Sequence, residues 1–147
     1  MTTFMPLLVH ATARLCRCAP HRALAHLSTR AGLGRWILGL WDCREVEAGL
    51  FTGQSLFDGA IGWVRVEIDE ACGTVDYLVG ATREALTPRI QAKVTPGPAL
   101  GHADSTAIVT LLAWRTADMS DERWMRLVHT HEAEIELIRA QLEAQGE

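Results

Sequence analysis

The stretch WVRVEIDEACGTVDYLVG, residues 63–80, constrains the fold more than any other part of the chain. Val64, Val66 and Ile68 alternate with Arg65, Glu67 and Asp69, and after Cys72-Gly73 the residues Val75, Tyr77 and Val79 form one face. A period of two with a glycine at the turn is the signature of an antiparallel hairpin with one dry face. The same reading extends over residues 41–48, 50–57, 62–70, 73–80, 88–95 and 105–115 as six strands. Their connectors carry Gly, Asp, Thr or Pro. In PRIQAKVT, Ile90, Ala92 and Val94 alternate with Arg89, Gln91 and Lys93, so Arg89 is expected on the polar side, in a salt bridge. The final strand is apolar on both sides (Ala107, Val109 and Leu111 against Ile108, Leu112 and Trp114), which points to unusually complete cover or an oligomer contact.

An earlier strand is expected in PLLVHATARLCR, from Pro6. Leu7, Val9, Ala11, Ala13 and Leu15 share one register, and His10, Thr12, Arg14 and Cys16 share the other. Pro20 suits the first turn of a short helix. A second short helix follows Thr29 through Trp36, weakened or bent by Gly32 and Gly34.

Residues 120–145 form the best helix of the chain. Ser120 or Asp121 caps it, acidic residues follow, and Trp124, Leu127, Val128, Ile135, Ile138 and Leu142 recur at spacings of three and four. Such a stripe needs a partner surface, and the dry, concave face of a twisted sheet supplies one.

The order is strand, two short helices, six strands, long helix. With Ala19-Pro20 opening the first helix, Trp36 closing the pair, the acidic hairpin Asp69 to Gly73, the turn Pro96 to Gly101 and the H-x-x-E-I of His131, Glu134 and Ile135, the chain resembles the helix-grip superfamily. That group, SRPBCC, includes START-related, polyketide cyclase-like and birch-pollen-allergen-like proteins. The resemblance implies an α+β fold: a curved antiparallel sheet of about seven strands around a long C-terminal helix, as one START-like domain over residues 1–147. It also implies an apolar cavity between sheet and helix that holds a lipid-like, aromatic or polyketide molecule. An alternative is a cyclase/dehydratase-type enzyme using the same cavity. No shared catalytic motif carries over.

Trp36, Val66, Tyr77, Ile90, Trp124, Val128, His131 and Ile135 are the expected cavity-side residues, and His131 is the candidate acid/base. Tyr77 and His131 are expected to give polar selectivity. The stretch HTHEAEI invites a metal reading, but on a helix His129 and His131 diverge by about 200°. His129, Glu132 and Glu136 are expected to face solvent, and His131 to face inward with Glu134 as its polar neighbour. The i, i+4 spacing of a helical zinc pair is absent, so no metal and no cofactor is expected. Glu67 and Asp69 read as a solvated face of a strand, and Cys16 and Cys18 as ordinary thiols.

The net charge of −4, with Lys93 the one lysine, argues against a nucleic-acid surface. No run approaches the length of a membrane span, and no signal peptide is evident. A reduced, cytoplasmic protein is the expectation, with Trp63 on the outer register as a candidate homodimer contact.

Overall fold

In the computed structural model, which describes residues 7–145, the hairpin of residues 63–80 forms β4 (Ile61–Asp69) and β5 (Thr74–Thr82). Val64 pairs with Val79, Val66 with Tyr77 and Ile68 with Val75. The turn is tied by Asp69 Oδ1, which accepts the Cys72 N–H at 3.0 Å. Gly73 adopts φ +69°, and a Cβ there would lie 2.6 Å from the Val94 carbonyl oxygen. Glycine suits both demands.

The other strands are β1 (Val9–Cys16), β2 (Trp41–Glu47), β3 (Leu50–Gln54), β6 (Ala85–Pro96) and β7 (Ala107–Trp114). They build one antiparallel sheet in the order β1-β7-β6-β5-β4-β3-β2. The helices are α1 (Pro20–Ser28), α2 (Arg30–Leu33) and α3 (Asp121–Gln145). Pro20 occupies the first turn of α1, as expected. Ser120 caps α3, its Oγ accepting the Arg123 N–H at 3.1 Å. Pro6, with which the first strand was expected to open, lies outside the described residues.

The core fills the concave side. Val64, Val75, Tyr77, Val109 and Leu111 of the sheet meet Leu27 of α1, Trp36, and Ile135, Ile138 and Leu142 of α3. These are among the most buried side chains, and each contributes roughly 1.5–3 kcal/mol of transfer free energy. This is the expected helix-grip arrangement, with α3 clasped by the sheet.

Two local expectations are corrected, and the inward face of β1 is settled. The second short helix ends at Leu33, short of Trp36. Its Gly32 sits where α2 meets α1: a Cβ would fall 2.1 Å from the His26 carbonyl oxygen. In β1 the polar register turns inward. Thr12 and Cys16 are buried, whereas Val9 and Leu15 are exposed at 46% and 43%. The reason lies across the chain in α3. Glu132 accepts from Thr12 at 3.2 Å and lies 2.9 Å from His10 Nε2, and Arg14 Nε donates to Glu136 at 2.6 Å. Glu132 and Glu136 therefore strap the helix to β1; they are not purely solvent-facing as expected. His129 is exposed.

Candidate functional site

A cavity of about 400 Å³ lies between the sheet and the first half of α3. Its apolar wall comes from the inward alternation of the strands: Val64, Tyr77, Val79, Ile90 and Leu111, with Trp36, Ile37 and Leu40 from the segment before β2. Arg123, Arg126, Leu127, Thr130, His131 and Glu134 of α3 form the opposite side. Spacings of three and four put these residues on one helical face.

Of the eight residues expected at the ligand, Trp36, Tyr77, Ile90 and His131 line this cavity. Val66 and Ile135 are in the main core, away from it. Trp124 packs with Ala113 and Met119 in a separate cluster that Val128 covers. Periodicity identified the inward face of α3 but could not tell filled space from open space along it.

Tyr77 presents its ring, not its hydroxyl. The buried O–H donates to the Leu27 carbonyl and ties β5 to α1, and the ring meets Trp36 edge-on at 5.9 Å between centroids. Its polar selectivity toward a ligand is therefore not supplied by the hydroxyl in this arrangement. Burial raises the phenol well above its ordinary range.

His131 is buried, and its Nδ1 has no hydrogen-bond partner among the described residues. Burial, with His10 and Arg89 adding to it, pushes its pKa down to about 4, so the imidazole is neutral at pH 7. Glu134, one turn on, is equally enclosed. Its Oε2 accepts the Leu38 N–H at 2.9 Å, and its Oε1 lies 3.9 Å from His131 Nε2. That separation is beyond a hydrogen bond. Desolvation raises the Glu134 carboxyl to about 8, against the opposing pull of the Leu38 N–H. The pair is a neutral base beside a protonated acid, both at the cavity wall.

Arg89 was expected outside and is found inside. Ile90 pairs with Tyr77, but Pro88 pairs with Leu78, so Arg89 is an extra residue in β6. This β-bulge inverts the alternation: Ala92 and Val94 point inward above it, and Ala85 and Thr87 line the cavity below it. Arg89 and Ile90 both reach the cavity. Among the described residues the buried Arg89 Nη1 has no acceptor and no salt bridge engages this side chain. Burial, joined by Arg123 and opposed by Asp118, lowers its pKa to about 10, so it stays charged at neutral pH. The sequence carried a signal for this. A proline inside a strand marks an edge or a bulge, and Pro88 stands directly before Arg89.

Of the remaining candidates, only Trp63 touches the cavity, although it was expected on the outer face. Glu67 and Asp69 are exposed, Asp69 serving the hairpin turn. Cys16, Cys18 and Cys43 are buried free thiols, and burial pushes Cys16 up to about 12, far from a reactive thiolate. Trp63 stands 5.5 Å from the Arg83 guanidinium in a cation–π contact. Among the described residues no three His, Cys, Asp or Glu side chains are grouped to hold a metal ion.

No protein-family model and no curated protein matches the chain. Solved structures do. The Zhui aromatase/cyclase from a Streptomyces aligns with a TM-score of 0.68 at 12% identity, over 95% of this chain and 95% of that one. A START superfamily protein from Mycobacterium smegmatis aligns with a TM-score of 0.68 at 8% identity, over 94% and 99%. A dimer from Colwellia psychrerythraea aligns with a TM-score of 0.68 at 13% identity, over 93% and 97%. At these identities the likeness shows the fold, which is the helix-grip fold of START-like and aromatase/cyclase structures.

Proposed function

We propose that the protein, as one START-like domain over residues 1–147, binds a hydrophobic or amphipathic small molecule between the sheet and α3. One observation carries this reading. The cavity of about 400 Å³ falls within the range of small-molecule sites, and its apolar wall is interrupted by a few inward polar groups, two of which hold a buried atom without a hydrogen-bond partner among the described residues. Native mass spectrometry of protein purified from cells tests it. A retained apolar molecule supports binding. Failure of stripped protein to take up any of a panel of aliphatic and aromatic probes would sink it.

A second reading is a cyclase/dehydratase-type enzyme in the same cavity, with His131 as acid/base. It is favoured by the buried pairing of a neutral His131 with a protonated Glu134, which gives one proton acceptor and one donor at the wall. In that case His131→Ala abolishes turnover of a polyketide-like substrate and leaves the fold intact. Surviving activity removes His131 from the role.

We also infer a reduced, cytoplasmic setting, supported by four free cysteines, three of them buried. Among the described residues no helix is long and apolar enough to cross a membrane. A homodimer is consistent with the exposed apolar side chains Val9, Leu15 and Trp114 on β1 and β7. Sedimentation velocity tests it: a single monomeric species across the concentration range would exclude it.

A further inference from the structure

The cavity has a charge of its own, unlike that of the chain. Three of its lining residues are arginines (Arg89, Arg123 and Arg126) and two are acids (Asp118 and Glu134). Asp118 is exposed and accepts from Thr116 at 2.7 Å. Glu134 is protonated at neutral pH because burial raises it. The lining is therefore cationic inside a protein whose formal net charge is −4.

Burying a guanidinium donor without an acceptor costs free energy, and stability alone gives no reason to keep it. The β6 bulge holds Arg89 in this position by backbone geometry. His131 Nδ1 is the other buried side-chain polar atom without a partner among the described residues, and both belong to this cavity. The neutral imidazole can donate through Nδ1 if its proton sits there.

We infer that the cavity selects an amphipathic carboxylate, its head accepting from Arg89 Nη1 and His131 Nδ1 and its apolar body against Trp36, Ile90 and Leu111. Two donors suit the two oxygens of one carboxylate. Trp36, Ile90 and Leu111 offer the body two aliphatic groups and a ring. This assignment rests on the cavity being a ligand site, and it adds the class of ligand.

The test is calorimetric titration of the stripped, full-length protein with two matched pairs of probes: octanoate and octanol, and phenylbutyrate and phenylbutanol. At neutral pH at least one acid should bind roughly ten- to a hundredfold tighter than its alcohol. Arg89→Met should abolish that preference. The wild-type comparison stands alone should that variant fold poorly. Equal affinity of acid and alcohol for the wild-type protein overturns the carboxylate assignment and leaves the binding reading intact. A preference that survives intact in Arg89→Met also overturns it. No binding of any of the four overturns the binding reading as well.

Discussion

His131 and Glu134 sit one turn apart on α3, with Nε2 and Oε1 separated by 3.9 Å, and burial makes both neutral where each would ordinarily carry more charge. Burial is the first cause for each. It disfavours the imidazolium and the carboxylate alike. An ion pair would need each group to charge in a site with little water, and the separation is too long for a hydrogen bond to help.

Stability should therefore fall on both sides of a middle range. For Glu134 the folded pKa of about 8 lies above the ordinary 4.5, so its contribution is complete below 4.5 and is lost as pH rises through 8. For His131 the folded value of about 4 lies below the ordinary 6.5, so its contribution is complete above 6.5 and is lost as pH falls through 4. A tenfold change in proton affinity on folding corresponds to about 1.4 kcal/mol. Glu134→Gln keeps an acceptor for the Leu38 N–H and cannot ionise. Urea denaturation at a series of pH values should show the variant gaining on the wild type between 4.5 and 8. A constant difference over that range would show that Glu134 is not held protonated.

Removing the hydroxyl of Tyr77 should act on stability, not on ligand affinity. Tyr77→Phe keeps the ring against Trp36 and strands the Leu27 carbonyl. The expected loss is about 1–2 kcal/mol. A large drop in probe affinity with unchanged stability would contradict the structural role.

Gly32 should not tolerate even a methyl group. Its φ is not in the left-handed region, so the cost is steric: the added carbon meets the His26 carbonyl, which also accepts from Trp36 Nε1 at 3.3 Å. Gly32→Ala should destabilise by roughly 2–3 kcal/mol and perturb Trp36 fluorescence. An unchanged melting temperature would mean that α1 and α2 are not packed this closely.

The strap between β1 and α3 should be modest and salt-sensitive. Burial works to raise Glu132, but the bonds from Thr12 and His10 outweigh it and hold the carboxyl below its ordinary range. Its side chain is 42% exposed, which screens the pair. Glu132→Ala should cost about 0.5–1 kcal/mol. High salt should narrow the gap from wild type, and a gap unaffected by salt would point to packing instead of charge.

Strand alternation and the stripe of α3 made the sheet and its gripped helix legible, because both are local patterns with fixed periods. Two registers were not. In β1 the polar row faces inward because Glu132 and Glu136, more than a hundred positions away, supply its partners. In β6 the sequence alternates without interruption past Pro88, and the bulge divides that alternation in two. The site suffered accordingly. Tyr77, Ile90 and His131 follow the intact pattern and reach the cavity, while alternation alone puts Arg89 on the wrong face. Whether the inward face of α3 met open or filled space depended on packing that no period encodes.

The bulge also makes the character of the cavity a matter of counting. Were the same residues paired without the bulge, Arg89 would stand opposite Leu78 and the lower part of the strand would turn over, carrying Ala85 and Thr87 outward and Leu86 and Pro88 inward. A one-residue slip in the pairing of β6 thus decides whether that strand lends the cavity a cation or an aliphatic side chain.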